Sequence, residues 1–427
     1  MRIVSDHIVD AEDVSGDRGR RVETEIDLAA GDLVLRASAS AAVLLPELWR
    51  SHCHKCFGSG TRLSRCGRCH TAFYCSKTCQ QADWKDHRKE CKSLAQLAQL
   101  GLRSDQVVDV LLLGRILRRE DGEGLQPMEL VWHEEDVEDQ ELLLLAALAQ
   151  KINLVDESYS MDEMVRMLSR FRNNNFSICD ELLLELGAGC FPLGAMINHS
   201  CDPNCAVTFA PKTLDMEFRA MKPIKSGEEI TQTYGGFVIT DNNDFNASIT
   251  LAAIVLVAHS LFRKQWTQER KQEVEQALKE VSDATSSVAS ESDLGAQQQL
   301  CIDALQKLAE RQNTILHHDS IARLQTLSTL FSAEMERGSV EEAIGYGERM
   351  LEFYRRVYNG NHPMTGLHLF TLGDLYSQQA KAGTGADHSK AKSSEYLVEA
   401  QRILGITHGQ DHRFVKMLAD RLVQGSA

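Results

Sequence analysis

The feature that most constrains this chain is a dense group of metal-binding side chains between residues 53 and 91. Seven of its twelve cysteines lie there. With His87 they form four closely spaced pairs: Cys53 with Cys56, Cys66 with Cys69, Cys75 with Cys79, and His87 with Cys91. Four such pairs complete two tetrahedral zinc sites and leave no coordination position for water. We therefore predict a structural two-zinc module and expect any catalysis elsewhere in the chain.

Spacing alone does not decide how the four pairs combine into two sites, because three combinations are possible. A disulfide framework is the alternative to zinc, but residues 1–6 contain no apolar segment of the kind that a signal peptide needs. Reducing compartments favour thiolate metal sites over disulfides. We expect zinc, with His52, His54 and His70 as solvated loop residues outside the metal sites.

Length and charge limit the possible partners. A chain of 427 residues is long enough for several domains, so the cysteine-rich module is an insert in a larger fold. Its 46 Lys and Arg against 61 Asp and Glu give a formal net charge of −15, which opposes binding to a phosphate backbone. We expect basic protein segments as partners, no DNA contact, and a location in cytoplasm and nucleus. The apolar stretch 249–258 is shorter than the roughly 18 residues that span a bilayer, so no membrane is expected.

Hydrophobic periodicity divides the rest of the chain. Residues 19–40 contain apolar positions on both sides of a glycine turn, which predicts two short strands. Apolar residues then recur at helical spacing over 94–170, and alternation returns at 207–220 around a turn at 210–212, which predicts a hairpin. Beyond residue 263 the pattern is helical and contains a near-repeat of roughly 45 to 50 residues, as in helix-pair arrays. Two similar helical segments each precede a turn, at 358–363 and at 407–412.

Two segments outside the cysteine-rich module carry the densest functional signal. They are Asn-His-Ser-Cys-Asp-Pro-Asn at 198–204 and Gly-Glu-Glu-Ile-Thr at 227–231, the latter followed by Tyr234. With the Phe-Tyr-Cys-Ser and Trp-Lys-Asp-His runs of the cysteine-rich module and the order of the segments, they resemble the SET and MYND domain (SMYD) family of protein-lysine methyltransferases along nearly the whole chain. The resemblance implies an α+β multidomain fold, in which a MYND zinc finger and a helical insert interrupt a β-rich SET core. An all-α tetratricopeptide-like domain follows.

The resemblance also implies domain boundaries. We expect an amino-terminal SET lobe (1–50), the MYND finger (51–93), a helical SET insert (94–172), the SET catalytic core (173–236), an atypical segment replacing the post-SET region (237–270), and the carboxyl-terminal helical domain (271–427). In the family, the first and third ligand pairs share one zinc ion, and the second and fourth pairs share the other. This would place Cys53, Cys56, Cys75 and Cys79 in one site, and Cys66, Cys69, His87 and Cys91 in the second.

Functional roles carry over to matching positions. The resemblance implies that one set of residues contacts S-adenosylmethionine: Gly19, Arg20, Asn175, Asn198, His199 and Tyr234. Tyr234 would also stand at the point of methyl transfer, and Phe176 would line the pocket of the substrate lysine. Methyl transfer from a sulfonium mainly requires in-line alignment and a neutral amine, so Tyr234 is expected to orient the amine rather than act as a base. Glu228 and Glu229 point to opposite sides of a strand, so we expect a solvated charge and a turn partner rather than an acid/base pair.

The chain departs from the family pattern at two places. The usual Gly-x-Gly of the cofactor loop is Gly19-Arg20-Arg21 here, and the Arg21 side chain would either obstruct the methionine end or reach its carboxylate. The family's post-SET cysteines are also missing, because no cysteine lies between Cys205 and Cys301. We therefore expect two zinc ions rather than three, and free thiols at Cys201 and Cys205.

Two functions remain open from the sequence. The first is methyl transfer from S-adenosylmethionine to lysine side chains of histone or non-histone proteins. The alternative is a catalytically weak or inactive SET scaffold that acts as a protein-binding adaptor. The resemblance further suggests proline-rich peptides as ligands of the MYND finger and chaperone tails as ligands of the carboxyl-terminal helices.

Overall fold

The computed structural model describes residues 8–12, 20–60, 62–119, 127–234, 296–358, 360–383 and 386–425. Gly19 and the predicted replacement for the post-SET segment, 237–270, lie outside these ranges.

The strands form several small sheets. In chain order they are β1 (Ile8–Glu12), β2 (Arg20–Thr24), β3 (Leu33–Ala37), β4 (Ala41–Leu44), β5 (Ser64–Arg65), β6 (Phe73–Tyr74), β7 (Asn175–Cys179), β8 (Glu185–Cys190), β9 (Asn198–His199), β10 (Cys205–Phe209), β11 (Met216–Ala220) and β12 (Thr231–Gln232). Three-stranded sheets have the orders β4-β8-β7 and β10-β11-β3, while β1 pairs with β2, β5 with β6, and β9 with β12. Strands from before and after the finger therefore share sheets.

The predicted hairpin is confirmed by the antiparallel pairing of β10 with β11, from Cys205 opposite Ala220 to Phe209 opposite Met216. On its other edge, β11 pairs with β3, which ties the amino-terminal strands to the core. The turn between β2 and β3 depends on Gly31, whose φ of 97° suits a residue without a Cβ. The Gly31 N–H donates to the carbonyl of Ala220, so this turn also lies against β11.

The helices occupy two regions of the chain. They are α1 (Lys77–Leu97), α2 (Ser104–Leu117), α3 (Gln140–Lys151), α4 (Met161–Asn174), α5 (Ala296–Ile315), α6 (Ile321–Arg337), α7 (Val340–Val357), α8 (Pro363–Lys381), α9 (Ala386–Thr407) and α10 (Arg413–Gly425). None of the described helices has the length and apolar composition that crossing a lipid bilayer requires.

Helix α4 positions the strand that carries two of the predicted site residues. Its N-cap is Ser160, whose hydroxyl accepts from the Glu163 N–H while the Glu163 carboxylate accepts from the Ser160 N–H, a reciprocal cap. It buries one face, including Phe171, and ends where Asn175 opens β7. The Asn175 N–H donates to the Phe171 carbonyl, so the start of β7 is fixed by the last turn of the helix.

A buried ion network joins the finger to the helical insert. Glu90 of α1 is 1% exposed, and its carboxylate lies 2.5 Å from the Arg115 guanidinium and 3.2 Å from that of Arg118, both on or next to α2. Burial alone would raise the pKa of Glu90, but the two arginines outweigh burial and lower it. Arg115 also donates to the carbonyl of Ala42 in β4, the strand that pairs with β8. The finger is thereby fastened to the core.

The carboxyl-terminal helices pack in sequence, and the turns predicted at 358–363 and 407–412 fall at the ends of α7 and α9. The turn at 358–363 and the start of α10 contact the strand-rich part of the chain. The Asn361 amide donates to the carbonyl of Met221 at 2.6 Å, and Arg413 forms an ion pair with Glu181 in the β7–β8 connection. The helical region is therefore docked on the strands rather than tethered by its chain alone.

Removing the Glu90 carboxylate should destabilise the protein strongly. Glu90→Ala leaves Arg115 buried without its partner, and we expect a loss of about 3 kcal/mol in the free energy of unfolding. Guanidinium unfolding followed by circular dichroism measures this loss. The matched control is Asp162→Asn, which breaks the exposed pair with Arg166 and should cost at most about 0.5 kcal/mol. Equal effects of the two substitutions would contradict the role of the buried network.

Candidate functional site

The two motif segments that resemble the SET core lie side by side. β9 and β12 pair in parallel, with Asn198 beside Thr231 and His199 beside Gln232. The Ser200 N–H donates to the Gln232 carbonyl and extends this pairing by one residue. The structure thus brings together two motifs that are about 30 residues apart in the sequence.

Asn204, the last residue of the first motif, holds the second motif in place. Its side-chain oxygen accepts from the Thr231 N–H at 2.8 Å, and its side-chain nitrogen donates to the Glu229 carbonyl at 2.8 Å. The Asn204 side-chain amide thereby provides hydrogen-bond partners for two backbone groups, as a neighbouring strand would. The backbone of 229–231 is fixed relative to β9.

Tyr234 is tied to β9 at two points. Its backbone N–H donates to His199 Nδ1 at 3.1 Å, and its hydroxyl donates to the Ile197 carbonyl at 3.2 Å. The same carbonyl also accepts from the buried Gln232 amide at 3.0 Å. Tyr234 is nonetheless 59% exposed, so its ring borders open space. The Tyr234 hydroxyl uses its hydrogen in the bond to the Ile197 carbonyl, so its oxygen can still accept a hydrogen bond.

The protonation states of this pair follow from their surroundings. His199 Nδ1 accepts from Tyr234, so the ring proton sits on Nε2, which lies 3.4 Å from Cys201 Sγ. Burial lowers the pKa of His199 below its ordinary value, which favours this neutral ring. Burial also raises the pKa of Tyr234; a hydrogen bond between its hydroxyl and the His199 backbone opposes that shift, and the charge of the nearby Glu229 adds to it. At neutral pH the site therefore holds a neutral imidazole and a phenol.

Asn175 and Phe176 lie on a different sheet. Both begin β7, and the Phe176 ring meets that of Phe191 edge-on at 6.0 Å. Phe191 in turn lies 5.7 Å from Phe209 of β10, so aromatic contacts connect the two sheets. The side-chain oxygen of Asn175 is buried and accepts no hydrogen bond from the described residues. An acceptor in this position fits a ligand that supplies a donor.

The amino-terminal cofactor loop is only partly described. Arg20 opens β2 opposite Glu12 of β1, and Gly19 lies outside the described residues. Arg21 Nε lies 2.6 Å from the carboxylate of Glu23 on the same strand. Its guanidinium is therefore engaged by Glu23, a partner that the sequence interpretation of Arg21 did not consider.

The cysteine-rich module assembles two ligand clusters. One contains Cys53, Cys56, Cys75 and Cys79, and the other contains Cys66, Cys69, His87 and Cys91, with the ligand atoms of each cluster within 4.8 Å of one another. Tetrahedral zinc with bonds of about 2.3 Å to sulfur places the sulfurs about 3.8 Å apart. The distance between Cys56 Sγ and Cys75 Sγ is 3.7 Å, and that between Cys75 Sγ and Cys79 Sγ is 3.5 Å. The donor sets fit structural zinc, in the combination of pairs that the resemblance implied.

The surroundings of Cys69 favour its metal-binding form. Burial opposes ionisation of this thiol, but hydrogen bonds from His87 and backbone N–H groups lower its pKa to about 6. A thiolate is the form that binds zinc. In the core of the finger, the Tyr74 hydroxyl donates to the buried Asp83 carboxylate at 2.7 Å.

The prediction that His54 is a solvated loop residue is wrong. His54 is 6% exposed, and its Nδ1 accepts from the Phe73 N–H at 3.1 Å. Burial lowers the pKa of His54 to about 3, so the ring is a neutral part of the finger core. It belongs to neither ligand cluster. The ligand spacing correctly excluded it from the metal sites but carried no information about its packing.

Glu229 is the site residue that sequence reasoning missed. Glu228 is the expected turn partner, since it accepts from the Lys225 N–H at 2.8 Å. Glu229 is not a solvated charge, because its carboxylate accepts from the Asn198 side-chain nitrogen at 2.8 Å. The next residue in the motif, Ile230, is fully buried. The alternation of side-chain directions along a strand did not reveal that Glu229 faces β9.

The contact between Tyr234 and His199 should depend on pH. His199 is neutral in the fold and its pKa is lowered, so the bond is present above the ordinary histidine pKa and is lost as pH falls through the lowered value. The amide resonance of Tyr234 in protein labelled with ¹⁵N-tyrosine reports this loss, with Tyr234→Phe providing the assignment. A transition above pH about 6.5 would contradict the burial of His199.

Metal content should follow the two clusters. We expect two zinc ions per chain and one in Cys69→Ser, because that substitution removes a ligand from one cluster only. Elemental analysis of purified protein measures both. Cys201→Ser is the control, since this exposed thiol lies outside the finger and its loss should leave the zinc content unchanged. Three ions in the parent protein would contradict the expected stoichiometry.

Comparison with known proteins agrees with this geometry. The family model of the MYND finger matches residues 53–91. The chain is 27% identical to "Histone-lysine N-methyltransferase ASHR1" of Arabidopsis thaliana, over 96% of this chain and 94% of the relative. It is 26% identical to "Histone-lysine N-methyltransferase SMYD3" of Homo sapiens, over 94% of each chain. It is 24% identical to the human "N-lysine methyltransferase SMYD2", over 95% of this chain and 96% of the relative.

A solved SET domain, that of LSMT bound to lysine and AdoHcy, aligns with 99% of this chain and 88% of its own at 10% identity. The TM-score of this alignment is 0.32. The finger match, the similarity to SET and MYND relatives along nearly the whole chain and the paired β9 and β12 motifs support an SMYD-type SET and MYND protein.

Proposed function

We propose that this protein transfers a methyl group from S-adenosylmethionine to the side-chain amine of lysine in proteins. The observation that carries the proposal is the placement of Tyr234, which is bonded to β9 through His199 and Ile197. His199 and Tyr234 are positions at which the family resemblance expects cofactor and methyl transfer to meet. The relatives named as lysine methyltransferases match over nearly their whole length, which supports the same activity here.

The residues present fit the cofactor. Asn198 supplies a polar side chain on β9, and the buried oxygen of Asn175 is an acceptor without a donor among the described residues. When bound, S-adenosylmethionine supplies an electrophilic methyl group on a positively charged sulfur. The protein has to align donor and acceptor in line, and positioning of this kind accounts for a large part of the rate of a two-substrate reaction.

Tyr234 orients the lysine amine. Its hydroxyl donates to the Ile197 carbonyl, so its oxygen is left to accept a hydrogen bond from the incoming amine. Its raised pKa keeps it a phenol, and it therefore does not remove the lysine proton. The ammonium form, with an ordinary pKa of about 10.4, has to lose its proton to solvent before transfer. Proximity to a positive sulfonium favours the neutral amine.

Histone or other protein lysines are the proposed substrates. Two of the relatives are named histone-lysine methyltransferases and a third is named an N-lysine methyltransferase. The net charge of −15 agrees with basic segments as substrates, because opposite charges raise the rate of encounter. The MYND finger and the carboxyl-terminal helices would recruit partners or substrates. In the adaptor alternative, this recruitment would be the whole function of the protein.

Loss of the Tyr234 hydroxyl should lower the rate of transfer and not the binding of cofactor. Incubation with labelled S-adenosylmethionine and a panel of lysine-containing proteins measures the rate, and we expect Tyr234→Phe to reduce it by about 100-fold or more. Tyr358→Phe, which removes a hydroxyl in the turn after α7, is the control and should keep the parental rate. A parent protein that binds no S-adenosylmethionine would favour the adaptor.

A further inference from the structure

We propose that the outward face of α1 binds an acidic segment of a partner protein. This basic face consists of Lys77, Lys85, Arg88 and Lys92, together with Trp84, and all five side chains are exposed. The inference does not depend on methyl transfer, because it concerns the finger and what the finger recruits. It also reverses the expectation for the chain as a whole, whose net charge of −15 predicts basic partners.

Helical geometry places these residues on one side of α1. At 3.6 residues per turn, positions 77, 84, 85, 88 and 92 fall within an arc of about 100° around the helix axis. The face extends over about 22 Å, because each residue of a helix adds about 1.5 Å. Four of the five Lys and Arg residues of α1 therefore form one stripe.

The acidic residues of α1 point the other way. Asp83 and Glu90 are each 1% exposed, and Asp86 is partly buried. Both buried carboxylates have partners inside the protein, since Asp83 accepts from the Tyr74 hydroxyl and Glu90 is paired with Arg115. Helix α1 thus separates its charges by face, with the acids turned inward and the cations turned outward.

The cations of the basic face are not balanced along the helix. Arg88 lies three residues after Lys85 and four residues before Lys92, and like charges at these spacings destabilise a helix. No acid lies three or four residues from any of the four cations in the sequence. A bound acidic segment would remove this repulsion, so the face is chemically complementary to carboxylates.

Trp84 adds an apolar contact to the basic face. Its side chain is 43% exposed, and its ring centroid lies 6.1 Å from that of His87 in the second ligand cluster. One edge of the ring is therefore held against the finger while much of its surface remains in solvent. Trp and Arg are both enriched where proteins bind one another. The combination fits a segment that carries acidic and apolar residues together.

A short protein segment fits this face better than nucleic acid does. An extended segment covers about 22 Å with about seven residues, so its ends do not have to pass over the rest of the protein. A nucleic acid carries phosphates along its whole length, and the net charge of −15 repels those that extend beyond the face. A protein segment can place its carboxylates opposite the cations alone.

Binding of a defined acidic peptide tests the inference. The probe is a rhodamine-labelled peptide of about ten residues, in which Glu alternates with Ser around a central Leu, and the reference peptide has Gln in place of Glu. Fluorescence anisotropy with the full chain measures both affinities. We expect the acidic peptide to bind at least about ten-fold more tightly than the reference, and its affinity to fall as salt is added. Equal affinities of the two peptides would overturn the inference.

Charge reversal locates the binding site. The double variant Lys85→Glu with Arg88→Glu should bind the acidic peptide at least about ten-fold more weakly than the parent. The matched control is Lys307→Glu with Lys390→Glu, which changes the net charge equally at exposed positions of α5 and α9 and should bind within about two-fold of the parent. Equal losses in the two double variants would mean that the peptide responds only to net charge, which would contradict a site on α1.

Zinc content and a nucleic-acid probe keep the test decisive. Elemental analysis shows whether the finger of each variant is intact. If charge reversal lowers the zinc content, Lys85→Gln with Arg88→Gln takes its place, because it removes the two charges without adding new ones. Parental affinity of a zinc-loaded variant for the acidic peptide would overturn the inference. Labelled single-stranded or duplex DNA that binds the parent more tightly than the acidic peptide, and loses affinity in the same variant, would overturn it in favour of nucleic acid.

Discussion

The candidate active site depends on one amide. Asn204 bonds to both the Thr231 N–H and the Glu229 carbonyl, and so fixes the second motif against the first. The parallel pairing of β9 with β12 is short, even with the added Ser200 bond, and the Asn204 amide contributes two further hydrogen bonds that fix its register. Once the register is fixed, Tyr234 reaches His199, and Glu229 reaches Asn198. Methyl transfer tolerates little misalignment, so the hydrogen bonds of Asn204 connect the fold directly to the proposed chemistry.

The zinc finger is integrated into the core by charge as well as by its metal sites. Glu90 lies directly before the ligand Cys91, and its two arginine partners belong to the helical insert. Arg115 continues the connection to β4 through the carbonyl of Ala42. Local disorder in the finger would therefore expose a buried ion network, and the core would lose stability with it. This connection explains how a small module with a modest apolar interior keeps a fixed position in a larger protein.

Motifs with fixed spacing were the part of the structure that could be predicted. The ligand pairs, the β10–β11 hairpin and the turns after α7 and α9 all follow from local residue patterns. The roles of His54 and Glu229 could not be predicted, because each depends on contacts between segments distant in sequence. A polar residue in a short strand gives no sign of which neighbour it will face. The pairing of Arg21 with Glu23 could have been predicted, because residues two apart on a strand share a face.

Glu181 connects the carboxyl-terminal helices to the β7–β8 hairpin. It sits in the connection between β7 and β8, where it is bound by Arg413, while Asn175 and Phe176 stand at the other end of β7. The far end of the chain thus braces the strand that is expected to contact cofactor and lysine. An excised SET core would carry this hairpin without the ion pair to Arg413. Transplanting the catalytic segment into another scaffold would require a substitute brace at this corner.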